Sequence, residues 1–393
     1  MKKRILAMLM AGIMCLTALV GCGSSSEGGE NNTQTVMTVD GEEVPANELA
    51  AYIVYNIYYY EQMYSQYGME VDASMFADED SFNSLKESAT EQIKSLRALQ
   101  KMADDKGVSL TSDQKKELKE TKKSNMEYTG AYSDTFKRWV AYTVKGKEDP
   151  WTTYLNKMGY TEELFDKDCE ILKLEDGIID QYYDEGKITK KFKKNYLHAK
   201  SILISDCDED GNVLTGADKK KAKKKAQKVL KKLKNGDDFD TLWKKYNDDS
   251  AQNKKGYYFT EDSMVEPYET AVKNLKENET TDELVYYKGY GWFIIERLPL
   301  EEDALTDPDC YMGNSSSSSS SDSDTTLKTV IGQEMVNDEL QDYIDKLDVQ
   351  TTDEYDKITI KNVNTYLGFV TDPLVATEGS GSVADGSAGG SAQ

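Results

Sequence analysis

Hydrophobic periodicity switches partway along this chain and later switches back, and that limits the folds open to it. From Ala46 to Tyr196 apolar side chains recur every three or four residues, the spacing of one helix face. At Ala199 the pattern gives way to a short unbroken run, Ser201-Ile202-Leu203-Ile204, of the kind that forms a buried strand. Helical and strand-like pieces then alternate as far as Leu298, and helical spacing returns at Leu327. A mainly helical region followed by a compact α/β unit is therefore expected.

Within that frame, Thr38-Val39-Asp40-Gly41-Glu42-Glu43-Val44 reads as two short extended pieces around a D-G turn. Ala46 to Tyr67 is tyrosine-rich and helical, with most of its rings expected in a core. Phe82 to Asp105 places Leu85, Ala89, Ile93, Leu96, Leu99 and Met102 on one stripe and stops near Gly107. Thr111-Ser112-Asp113 offers caps for a lysine-rich third helix. Trp151 to Met158, Thr161 to Tyr183 and Lys190 to Tyr196 continue the pattern, with Gly159 and Gly186 as punctuation between them. In the α/β unit, helices are expected over Ala217 to Asn235, Asp238 to Asp248 and Pro267 to Leu275, with closing strands between Tyr286 and Leu298. Seven consecutive serines follow Asn314, and Lys357 to Val363 alternates like a strand.

Only one histidine is present, which excludes a multi-histidine zinc site and any two-histidine proton network. The formal charge of −23 argues against nucleic acid as a partner. The first residues are not part of the fold: Lys2, Lys3 and Arg4 precede an apolar run, Ile5 to Val20, too short to span a bilayer as a permanent helix. Leu19-Val20-Gly21-Cys22 then resembles a bacterial lipobox. That resemblance implies cleavage before Cys22, lipidation of its thiol, and a chain tethered to the outer face of the cell membrane. Cys169, Cys207 and Cys310 would remain, an odd set that cannot form a complete disulfide framework.

Three stretches in order resemble a parvulin-type peptidyl-prolyl isomerase domain. They are Ala199-Lys200-Ser201-Ile202-Leu203-Ile204, then Gly236-Asp237-Asp238-Phe239 running on to Asp249-Ser250 and Gly256, then Met264-Val265-Glu266-Pro267-Tyr268-Glu269-Thr270-Ala271 with Gly289-Tyr290-Gly291-Trp292-Phe293-Ile294-Ile295. The opening Val39-Asp40-Gly41 before a long helix is similar to that of SurA- and PrsA-type chaperone domains. The resemblance implies an α+β fold: a helical chaperone domain, built from N-terminal helices plus a C-terminal helix, with the parvulin-like α/β domain inserted. The division expected is signal 1–21, flexible tether 22–36, helical chaperone region 37–194, isomerase-like domain 195–300, Ser-rich linker 301–326, C-terminal helix and strand 327–369, and a Gly/Ser tail 370–393.

The same resemblance places a proline-ring pocket at Met264 and Tyr268, with Tyr258 and Phe259 occupying the turn that leads to it. Asp249 falls where the family has a catalytic cysteine or aspartate, and it reads equally well as a turn carboxylate. The two motif histidines are absent: Ser201 and Phe293 stand in their places. His198 has an odd offset from Ser201, which puts it on the other face of a strand. The implied activity is thus an extracytoplasmic foldase that binds unfolded secreted chains, with isomerase activity weak or lost and no cofactor or metal. An active isomerase using Asp249 is the alternative within the family. A solute-binding or adhesive surface lipoprotein is the alternative outside it.

Two weaker patterns remain. Asp206-Cys207-Asp208-Glu209-Asp210-Gly211 opens like an EF-hand loop but has Ala217 at the twelfth position, so a polar loop is the better reading. Lys219 to Lys234 holds ten lysines, a solvated helix face that also suits contact with anionic wall polymer or lipid.

Overall fold

The computed structural model describes residues 33–65, 67, 73–76, 78–131, 150–312 and 325–367. The signal segment, Cys22, most of the tether, residues 313–324 of the serine-rich linker and the tail 370–393 lie outside the described residues.

In chain order the elements are strands β1 (Thr35–Val39) and β2 (Glu42–Pro45), then helices α1 (Ala46–Ser65), α2 (Glu79–Lys106), α3 (Ser112–Ala131), α4 (Pro150–Lys157), α5 (Glu162–Asp184) and α6 (Lys187–Asn195). Next come β3 (Tyr196–Ser205), α7 (Gly216–Lys234), α8 (Phe239–Tyr246), β4 (Tyr257–Thr260), α9 (Glu266–Asn274), β5 (Val285–Tyr287) and β6 (Gly291–Leu298). Helix α10 (Leu327–Ile344), β7 (Val349–Thr351), α11 (Asp353–Lys357) and a 3-10 turn at Val363–Tyr366 close the described chain. Two compact units result, one of residues 1–178 with 336–393 and one of residues 179–335, the divisions falling inside α5 and α10.

The first unit is helical around a small antiparallel sheet ordered β2-β1-β7. Its hairpin turns on Asp40 and Gly41, both at positive φ (51° and 80°), as the D-G pair predicts. Strand β7 then pairs with the outer edge of β1, Met37 opposite Thr351. Helix α2 starts on an Asp78 cap that accepts from the Ser81 N–H and ends at left-handed Gly107. Its stripe, including Leu85, Ile93, Leu99 and Met102, is buried.

The strand expected over Lys357 to Val363 does not form. Thr352 caps α11 instead, its hydroxyl accepting from the Glu354 N–H, and a turn follows in which the Asn362 side chain accepts from the Thr359 N–H and donates to the Lys357 carbonyl. Ile358 is buried through this turn, so its spacing from Ile360 carries no strand register. The strand of this region lies upstream, at β7.

The second unit is built on an antiparallel sheet ordered β4-β3-β6-β5. Helices α7 and α8 cover one face, with Ile202, Ile204, Ala226, Val229, Phe239, Leu242, Trp292 and Ile294 as its core. Helix α9 covers the other. Two glycines are obligatory here. A Cβ on Gly291 (φ +133°) would lie 2.1 Å from the Ile204 carbonyl oxygen, and one on Gly256 (φ +80°) would lie 2.5 Å from that of Ala199. Both positions let a backbone approach β3 directly.

Candidate functional site

Alternation along β3 decides which side chains meet. Ala199, Ser201 and Leu203 share the α9 face, with Ser201 opposite Ile295 and Leu203 opposite Phe293 on β6. On that face Ala199, Leu203, Phe259, Tyr268, Val272, Phe293 and Ile295 pack into one buried cluster, flanked by half-buried Tyr257 and Met264. Tyr268 meets Phe293 edge-to-face with centroids 5.3 Å apart, and Phe259 at 6.0 Å. The sequence therefore brings Met264, Tyr268, Phe259, Phe293 and Ser201 together.

The polar side of the site comes from the loop after α8. Strand β4 pairs with only the first half of β3, leaving the N–H groups of Ser201, Leu203 and Ser205 on an open edge. Side chains fill the gap: Gln252 Oε1 accepts from Ser201 N at 3.1 Å, Asn247 Oδ1 from Leu203 N at 2.9 Å, and Asp248 Oδ2 from Ser205 N at 3.0 Å. Gln252 also donates to Ser201 Oγ at 3.1 Å and accepts from Trp243 Nε1 at 2.8 Å. Ser201 is thus held within the fold, 1% exposed, by a residue that sequence patterning does not single out.

Asp249 is half-buried beside this loop. Its Oδ1 accepts from the Ala251 N–H at 3.0 Å, a local turn, and its Oδ2 accepts from the Tyr257 hydroxyl at 2.9 Å. Burial, reinforced by the Asp249 charge, pushes the Tyr257 hydroxyl well above the usual tyrosine range, so it stays a proton donor. Burial does the same for Tyr268, whose hydroxyl faces Ser201.

Residues 186–298 match the PPIC-type peptidyl-prolyl isomerase domain, and residues 1–171 match the SurA-like N-terminal domain. The chain belongs to the SurA-like proteins that carry a parvulin-type isomerase domain. It is 30% identical over 125 residues to the chaperone SurA of Methylococcus capsulatus, covering 31% of this chain and 24% of that protein. The chain thus spans about a quarter of the length of that curated relative. Among solved structures, a peptidylprolyl isomerase PrsA from Bacillus cereus is 20% identical, covers 74% of this chain and 94% of its own, and superposes with a TM-score of 0.29. The foldase protein PrsA from Streptococcus pneumoniae is 18% identical over 65% of this chain and 80% of its own, with a TM-score of 0.28.

Within this parvulin domain, two expectations need correction. Tyr257, Tyr258 and Phe259 do not form a turn: three aromatics in succession extend as β4, paired with β3. Alternation then sends Tyr258 away from the pocket residues. Its ring stacks on His198, centroids 3.8 Å apart, and Tyr257 takes the place on the α9 face assigned to it. His198 is buried, opposite Tyr258 in register and off the Ser201 face, with its two ring nitrogens 2.7 Å from the carbonyl oxygens of Pro299 and Lys255.

The acidic loop of the parvulin domain is a polar turn. Asp206 is fully buried and accepts from the Tyr286 hydroxyl at 2.7 Å and the Gly289 N–H at 3.1 Å, while Asp208 accepts from the Asp210 and Asn212 N–H groups. Among the described residues no group of three or more acidic, His or Cys side chains could hold a metal ion. Cys169, Cys207 and Cys310 are free thiols, and burial pushes Cys169 up to about 12.

Proposed function

We propose that this chain is an extracytoplasmic folding factor that holds unfolded secreted polypeptides and isomerises prolyl bonds weakly or not at all. The observation that carries this reading is how the polar groups at the motif positions are used. Rotation about an imide bond faces a barrier of ~18–20 kcal/mol, and a pocket lowers it by gripping the ring and placing donors toward the twisted state. Here Ser201 is tied to Gln252, Phe293 is an apolar wall against Tyr268, and Asp249 is engaged by Tyr257. An apolar, aromatic surface for peptide side chains is retained around Met264 and Tyr268, while Ser201 and Asp249 are each engaged by a neighbouring side chain.

Cys22 anchors the protein to the membrane through lipid in this proposal, which places the described units outside the cytoplasm. On α7, Lys221, Lys224, Lys228 and Lys231 are exposed and suit contact with anionic lipid or wall polymer. The rival reading, an active isomerase, is favoured by Asp249 being half-exposed with the Tyr257 hydroxyl beside it. Suppression of light scattering from an unfolded secreted protein by an equimolar amount of the full chain tests the holding role. Scattering unchanged from the client alone would remove it. Replacing Cys22→Ala should release the protein from the cell into the medium.

A further inference from the structure

Outside the Met264–Tyr268 site, the second unit carries a groove of about 710 Å³ between α7 and the segment leading into β5. Its floor is apolar and aromatic, from Leu230, Tyr286 and Trp292. One wall is basic, with Lys220 and Lys223 exposed and free of ion pairs among the described residues. Lys219 is different: its amine reaches the Tyr286 hydroxyl at 2.5 Å and buried Asp206 at 3.5 Å, so its charge is already balanced. It lies 4.7 Å from the Tyr286 ring centroid and fixes that aromatic wall. The opposite lip carries Asp282 and Glu283, both exposed, and Asp282 is already paired with Lys234 at 3.6 Å.

Three features select the occupant. Strand β5 is an edge strand, hydrogen-bonded to β6 on one side only, and an edge bordering a groove accepts an extended chain as an added strand. Two unpaired lysines favour acidic side chains, which the rest of this strongly acidic chain would repel. The acidic lip disfavours a uniform polyanion such as a phosphate polymer, and a concave site does not fit a flat bilayer. We propose that this groove binds extended polypeptide segments in which acidic residues alternate with apolar ones, the apolar side chains seated on Trp292 and Tyr286 and the acidic ones against Lys220 and Lys223. This rests on the holding function above and names a class of client segment for a site distinct from the motif pocket.

The probes are two labelled decapeptides, one alternating Val with Glu and one alternating Val with Lys, titrated into the full chain by fluorescence anisotropy. The Val/Glu peptide should bind at least tenfold more tightly than the Val/Lys peptide, and less tightly as salt rises. The pair Lys220→Gln and Lys223→Gln should weaken it at least fivefold, while Lys221→Gln with Lys224→Gln, on the same helix but off the groove, leaves it unchanged. Equal binding of both peptides, or equal weakening by both lysine pairs, overturns the groove. Binding to vesicles of one part phosphatidylglycerol to three of phosphatidylcholine that is lost with Lys220 and Lys223, with no peptide binding, also overturns it. Light scattering with a client is run beside each titration: suppression without peptide preference removes the groove alone, and absence of suppression removes the holding function itself.

Discussion

The Tyr257 hydroxyl donates to Asp249 at 2.9 Å, so one oxygen of the carboxylate that the resemblance sets at the catalytic position is already engaged by a neighbouring side chain. Because burial holds that phenol protonated, the contact persists across the physiological range. Replacing Tyr257→Phe frees Asp249 and removes one hydrogen bond, a cost of ~1 kcal/mol. In urea denaturation of the full chain the variant should lose about that much, with peptide binding by the apolar face unchanged.

Gln252 makes three hydrogen bonds: it accepts from Ser201 N on the open edge of β3, donates to Ser201 Oγ and accepts from Trp243 Nε1. Replacement by Leu leaves the buried Ser201 N–H unsatisfied and should destabilise the second unit by about 2–4 kcal/mol. Amide exchange at Ser201 and Leu203, read by mass spectrometry, would accelerate together with that loss. Protection equal to the parent would show that the edge is covered in some other way.

Gly291 is the sharpest test of the sheet. A methyl group there meets the Ile204 carbonyl at 2.1 Å at a φ of +133°, so Gly291→Ala should cost more than about 3 kcal/mol and unpair β6 from β3. Gly289 also has positive φ (+91°) but open space around its Cβ, and Gly289→Ala should cost about 1 kcal/mol. Thermal melts of the two variants side by side check the order.

In the first unit Asp168 is buried beneath Tyr52, whose hydroxyl donates to it at 2.7–2.8 Å, and burial raises its pKa to about 7. A carboxyl whose folded pKa exceeds its unfolded value binds its proton more tightly when folded. Its contribution is therefore complete below about pH 4 and is lost as pH rises toward 7. The size is on the order of 4 kcal/mol. Burial also raises Glu175 to about 7, in the same direction. Urea midpoints at pH 5 and pH 8 should differ more for the parent than for Asp168→Asn, where the neutral amide removes most of that dependence.

Much of the backbone was readable from local chemistry. The D-G turn, the Asp78 and Gly107 helix ends and the stripe from Leu85 to Met102 depend on neighbours in sequence, and they form as their spacing implies. The buried run at Ile202 likewise becomes the central strand, and His198 falls off the Ser201 face as parity requires. What was not readable depends on partners far along the chain. Nothing local marks Gln252 as the partner of Ser201, or Asp168 as that of Tyr52, 116 residues away. Tyr257 was missed for a different reason: reading Tyr257 to Phe259 as a turn discarded the alternation that separates Tyr257 from Tyr258. Ile358 misled because a turn can bury one isoleucine as completely as a strand does.

The central claim is that the parvulin-like face binds peptide without efficient isomerisation. Its most direct test is cis/trans relaxation of a proline tetrapeptide, measured with the full chain at concentrations that suppress client aggregation. The account predicts relaxation at the uncatalysed rate, unchanged by Asp249→Ala, alongside clear suppression. Relaxation accelerated tenfold or more and abolished by Asp249→Ala would contradict it.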